Sequence, residues 1–131
     1  METRYIESIH KGKKTTSTLS YSTEAPWTLS IQTEDIFNVN IESDDLFNAF
    51  KEARVKAEKI DLFFLCNGAR ENVYPSSMTR SMAGGIAAYT LTMGKPASRK
   101  DLIKIFDGTN EPIASPEEQD KFYANWINSL K

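Results

Sequence analysis

The stretch from Trp27 to Glu42 limits what this chain can fold into more than any other. Trp27, Leu29 and Ile31 alternate with Thr28, Ser30 and Gln32, and after a short break Phe37, Val39 and Ile41 alternate with Asn38, Asn40 and Glu42. Successive side chains on a strand point to opposite faces, so each run predicts a strand that is apolar on one face and wet on the other. Thr33, Glu34, Asp35 and Ile36 between them form a connection short enough for an antiparallel hairpin. One face of that hairpin has to be buried against a second layer.

The residues that follow supply the layer. Ser43 reads as a helix N-cap, and Asp44 and Asp45 stand where the helix dipole favours negative charge. Leu46, Phe50, Ala53, Ala57 and Ile60 recur at steps of four and three with Phe47 beside them, which predicts an amphipathic helix near 44–59. Lys51, Glu52, Arg54, Lys56, Glu58 and Lys59 fall mostly off that stripe and are expected in solvent. The chain then enters DLFFLC, residues 61–66, which is apolar on both faces and so predicts a central strand.

Asn67-Gly68 is a turn signal. Ser76 or Ser77 caps a short helix over 78–83 that Gly84 and Gly85 stop, and Tyr89, Leu91 and Met93 alternate as a fourth strand, a neighbour for the central one. Ser98 and Asp101 have the spacing of a capping box, and LIKIF after them fits either one helical face or a short strand. Ser115, Pro116, Glu117 and Glu118 open a last helix reaching about Leu130, with Phe122, Trp126 and Leu130 four apart and Tyr123 and Ile127 alongside. Residues 1–25 are rich in Ser, Thr and Lys. They suggest an outer strand over Thr18 to Ser22 behind an exposed turn at Lys11 to Lys14, and thus a peripheral segment. The expectation is one α+β domain over 1–131, a mostly antiparallel sheet of four or five strands with two main helices packed on it.

Composition narrows the function. A chain of 131 residues can bury one core without disulfides or metals, and 40% hydrophobic with 26% charged residues argues against disorder. A net charge of −2 disfavours a general nucleic-acid surface. No stretch approaches the roughly 20 apolar residues of a membrane span, and METRYIESIHKGKK has no signal-peptide core, so a cytoplasmic location is expected. Cys66, the one cysteine, sits in the apolar strand and reads as a buried thiol. His10 is the one histidine, which excludes a multi-histidine metal centre built within one chain. Asp61, Glu71 and Asp107 have no spacing that marks an acid–base pair, and Gly84-Gly85 lacks a phosphate-loop pattern. Neither an enzyme activity nor a cofactor is expected.

Two clusters remain as candidate partner-binding residues. Glu34, Asp35, Glu42, Asp44 and Asp45 fall within twelve residues that hold no Lys or Arg. They read as helix capping and solvated turns, or as an acidic docking surface for a basic protein, and hairpin geometry leaves open whether they make one patch or two. Arg70, Glu71, Tyr74 and Arg80 follow the apolar strand and include the residue types that anchor interfaces. The same two arginines suit an alternative, a small enzyme or ligand-binding domain whose Arg70 to Arg80 loop grips a carboxylate or phosphate.

CNGARENVYPSSMTRSMAGGIAAYTLTMGKPA, the following DLIKIFDG and the closing SPEEQDKFYANWINSL resemble a bacterial family of immunity proteins from polymorphic toxin systems, particularly contact-dependent growth inhibition. Asn67-Gly68-Ala69-Arg70, Pro75-Ser76, Met78, Arg80, Met82 and Tyr89 carry the resemblance, which covers about the last seventy residues. It implies a cytoplasmic protein that binds the toxic C-terminal domain of a cognate toxin one to one, often a nuclease, and blocks it by occlusion. The acidic residues would then pair with toxin cations that otherwise hold phosphates.

Overall fold

The computed structural model describes every residue from Met1 to Lys131. The chain runs β1 (Glu2–His10), β2 (Lys13–Tyr21), β3 (Trp27–Thr33), β4 (Phe37–Ser43), α1 (Leu46–Glu58), β5 (Leu62–Phe64), β6 (Val73–Tyr74), α2 (Ser77–Ala83), β7 (Ala87–Thr90), β8 (Leu102–Lys104) and α3 (Pro116–Ser129). It is an α+β fold with an antiparallel five-stranded sheet in the order β4-β3-β2-β1-β5 and a three-stranded sheet in the order β6-β7-β8. No helix is long and apolar enough to cross a membrane.

The hairpin forms where its periodicity put it, in register from Trp27 opposite Ser43 to Thr33 opposite Phe37. Its inner face buries Leu29, Ile31 and Ile41, and α1 covers that face with Leu46, Phe47, Ala49, Phe50, Ala53 and Ala57. Ile60 lies beyond the helix and is exposed, so the stripe ends at Ala57.

The amino-terminal residues are not peripheral. β1 and β2 are nine residues each and occupy the middle of the large sheet, β2 between β1 and β3 and β1 between β2 and β5. Their inward faces carry Ser8 and Ser17 among the apolar side chains, which blurs the alternation that would reveal a strand. Both serines are fully buried, and Ser8 Oγ, Ser17 Oγ and Thr33 Oγ1 form a chain of hydroxyls with spacings of 2.7 and 2.6 Å. A hydroxyl can both donate and accept, and Ser8 Oγ also donates to the Ile6 carbonyl, so every member of the row has a partner in a dry interior.

The DLFFLC strand is not central either. β5 spans three residues at the end of the sheet and pairs with β1 alone. Only one face is fully buried, through Leu62, Phe64 and Cys66, while Phe63 and Leu65 on the other are partly buried beside an open groove and no second strand covers them. Leu62 and Phe64 face α1, while Thr109 N–H donates to the Leu65 carbonyl and Cys66 bridges to Gly108. The strand expected beside it belongs to the other sheet, where Tyr89 of β7 lies between Tyr74 and Leu102. The Ser98–Asp101 capping box closes a single 3-10 turn, and the LIKIF segment then opens as strand β8. Gly68 lets the two sheets meet: its N–H donates to Ile105, and a Cβ there would come within 3.0 Å of the Ile105 Cβ.

Arg54 and Gln119 fasten α1 and α3 to the loop between β5 and β6. Arg54, expected in solvent, is 3% exposed, and its guanidinium donates to the carbonyls of Gly68 and Ala114 and to Gln119 Oε1. Gln119 Nε2 lies within 3.0 Å of the carbonyls of Gly68, Arg70 and Val73. Burial lowers the Arg54 pKa, and the Glu58 and Asp120 carboxylates offset that desolvation only in part because neither forms an ion pair with it. The docked part of α3 is therefore its first half. Phe122 and Trp126 are half-buried, and Ile127 and Leu130 are exposed, contrary to a fully seated face.

Candidate functional site

The first turn of α1 starts the site. β4 runs through Ser43, which pairs with Trp27, so the helix cannot begin there and Asp45 becomes the N-cap in place of Ser43. Asp45 Oδ1 accepts from the Asn48 N–H at 2.7 Å, and Oδ2 accepts from Arg80 Nη1 at 2.8 Å. One carboxylate thus caps α1 and ties it to α2. The ends meet closely because Gly84, the αL residue that stops α2, passes its carbonyl to the Leu46 N–H.

Arg80 lies over the rings of Phe47 and Tyr74, 5.3 and 5.5 Å from their centroids. Tyr74 is the hub. Its ring meets Phe47 edge-on at 5.1 Å and stacks on Tyr123 of α3 at 4.0 Å and 10°. Its hydroxyl donates to Asp120 Oδ1 at 3.0 Å, and the same oxygen takes Lys51 Nζ at 2.6 Å. Burial, helped by the bond to Asp120, pushes the Tyr74 hydroxyl up to about 12, so it stays protonated as a donor. Trp126, one turn after Tyr123, points its indole N–H at the carbonyls of Thr92 and Lys95.

Between these elements lies an open cleft of about 240 Å³. Its walls are Tyr74, Pro75, Ser76, Tyr89, Leu91, Pro96, Ala97, Tyr123, Trp126 and Leu130. Two ion pairs, Asp45–Arg80 and Lys51–Asp120, stand beside the Tyr74 ring and cancel in charge. Aromatic faces and a protonated phenol suit the holding of an apolar or planar group, while a hydroxyl that titrates near 12 is a poor proton carrier at neutral pH.

No family model matches the chain, and no curated protein matches it. Function has to be read from this geometry and from the residues that carry it.

Of the nine candidate residues, Asp45, Tyr74 and Arg80 come together here. Asp45 is corrected from a surface acid to a buried cap with its side chain 7% exposed, so it is not available to dock a partner's cations. Glu34 and Asp35 lie at the β3–β4 turn and Glu42 and Asp44 at the opposite end of β4, all exposed, which makes two patches. Arg70 and Arg80 do not form a grip. Arg80 is committed to Asp45, whereas Arg70 reaches Asn67 Oδ1 at 3.4 Å and pairs through its backbone with Ile113. Glu71 is exposed on the turn before β6 and joins neither group.

Lys51, Tyr89, Asp120, Tyr123 and Trp126 belong to the site and are not among the nine candidate residues. Tyr123 and Trp126 were visible as an apolar face of α3, but a face that docks and a face that lines a cleft have the same period. The Lys51–Asp120 contact spans 69 residues and leaves no local trace. Cys66 is fully buried, and burial pushes its thiol up to about 12, far from a thiolate nucleophile. Nowhere do three His, Cys, Asp or Glu side chains gather as a metal site requires.

Proposed function

We propose that this chain is a cytoplasmic immunity protein of a polymorphic-toxin system, one that binds the toxic C-terminal domain of its cognate toxin one to one and occludes it. The resemblance over the last seventy residues suggests the class. The observation that carries it is the aromatic cleft, whose ten lining residues all fall between Tyr74 and Leu130, inside the stretch that bears the resemblance. Tyrosine and tryptophan are the residues that most often dominate interface energetics, because they bury much area at little entropic cost. Met78 and Met82 on α2 add exposed, adaptable apolar surface at 67% and 78% exposure. Glu34, Asp35, Glu42 and Asp44 supply acidic surface suited to a basic nuclease.

The alternative of an anion grip by Arg70 and Arg80 has less support, since Arg80 is held by Asp45 while Arg70 reaches Asn67 and keeps a buried Nε without a partner. Calorimetric titration with an inactivated toxin C-terminal domain encoded beside this gene tests the proposal. Tight one-to-one binding is expected, and Trp126→Ala should weaken it by about 2 kcal/mol as an interface anchor does. No binding by the unaltered chain would overturn the immunity reading.

A further inference from the structure

β4 is the longest edge strand in the molecule, seven residues against three or fewer for β5, β6 and β8. Residues 37–43 make backbone hydrogen bonds to β3 on one side and to nothing on the other. Natural sheets blunt such edges with lysine, proline, a bulge or a covering segment, because unpaired N–H and C=O groups recruit another strand. β5, at the opposite end, is only three residues long, and residues 107–109 pair with the chain just after it, at Leu65, Cys66 and Asn67. β4 has none of these devices: its sequence is FNVNIES and its register with β3 is unbroken. Phe37 and Val39 are on its core side yet only partly buried, and a further strand would complete their burial.

Charge selects the occupant. From Thr15 to Phe50 the chain holds six carboxylates and no Lys, Arg or His. Glu42 and Asp44, at the end of the edge, are exposed and make no ion pair. At the other end Asp35 shares a shallow groove with Lys11 and Lys59 but also with Glu58 and Asp61, so both ends of the edge are acidic and only the Glu42–Asp44 end has no lysine beside it. A second copy of this chain is a poor fit, because antiparallel pairing about Asn40 would bring Asp44 of one copy toward Glu34 and Asp35 of the other. A strand with a lysine or arginine near Glu42 and Asp44 meets no such repulsion.

Resting on the immunity reading, we infer that the β4 edge takes up an extended, lysine- or arginine-bearing strand of the toxin domain as a sixth strand of the large sheet. Main-chain bonds hold it, and the carboxylates at the Glu42 end choose its charge and register. The test uses the same inactivated domain with two readouts. Hydrogen exchange on the complex should show new protection of amides within 37–43. Asn38→Lys with Asn40→Lys, on the exposed face of β4 opposite Gln32 and Ser30, gives up the Ser30–Asn40 side-chain bond but keeps the backbone ladder, so the free fold should persist by circular dichroism while binding weakens about tenfold or more, as edge lysines oppose strand addition. Binding without protection at 37–43, or undiminished by the two lysines, overturns the edge while the immunity reading stands. No binding by the unaltered chain overturns both.

Discussion

Gln119 shows how much of this fold depends on one side chain that no pattern marks. Its amide nitrogen has two hydrogens and faces three carbonyls, those of Gly68, Arg70 and Val73, while its oxygen receives Arg54. Gln119→Leu would leave buried carbonyls without a donor and remove an acceptor from a buried guanidinium. Stranded buried polar groups cost about 1–3 kcal/mol each, so a loss of about 3 kcal/mol is expected in urea unfolding. Gln119→Glu separates the causes. It offers Arg54 a carboxylate but turns an acceptor toward the carbonyls, and it too should destabilise. A stabilised Glu variant, or a Leu variant within about 1 kcal/mol of the parent, would mean that the amide's donors matter little. Neither residue could be picked out beforehand: Arg54 lies on a helix face that reads as polar, and Gln119 sits four residues after the Ser115 cap like any surface glutamine.

Among the elements, legibility followed periodicity. The β3–β4 hairpin, α1 and the capped start of α3 were readable because their apolar spacing and caps are local. Ser115 and Glu118 form the capping box with Pro116 in the first turn, as their order implied. β1 and β2 were not, because Ser8 and Ser17 occupy core positions where an apolar residue would complete the pattern. The cap of α1 was misplaced by two residues, since a strand that runs on through Ser43 is a long-range fact. That shift has a measurable consequence. Asp45→Ala removes both the cap on Asn48 and the partner of Arg80 and should cost about 1–2 kcal/mol, whereas Asp44→Ala, exposed and unpaired, should stay within about 0.5 kcal/mol. Equal effects in thermal or urea unfolding would return the cap to Ser43 or Asp44. The site was legible to the same degree: Tyr74 and Arg80 could be named from their place after an apolar strand, but their partners on α1 and α3 could not.

At the scale of the whole molecule the order β4-β3-β2-β1-β5 decides what the amino-terminal residues are for. β1 and β2 join the hairpin to β5, so they are the only ladder between the two ends of the large sheet. Removing residues 1–21 would leave β3 and β4 as an isolated hairpin and β5 with no strand partner, and two strands alone are marginal in water. It would also strip Ile6, Leu19 and Tyr21 from the core and leave Phe106, which packs against Tyr21 at 4.9 Å, without that contact. A chain beginning at Ser22 should therefore lack a cooperative unfolding transition by circular dichroism, even though it keeps α1, α3 and every residue of the aromatic cleft. Retention of a cooperative transition would mean that α1 and the small sheet form a stable unit alone, with the meander added to it. The distinction bears on function, because the open β4 edge is held in place through β3 by β2 and β1. If the truncated chain unfolds, strand addition at β4 and anchoring at the cleft belong to one cooperative body, and a partner bound at either surface stabilises both.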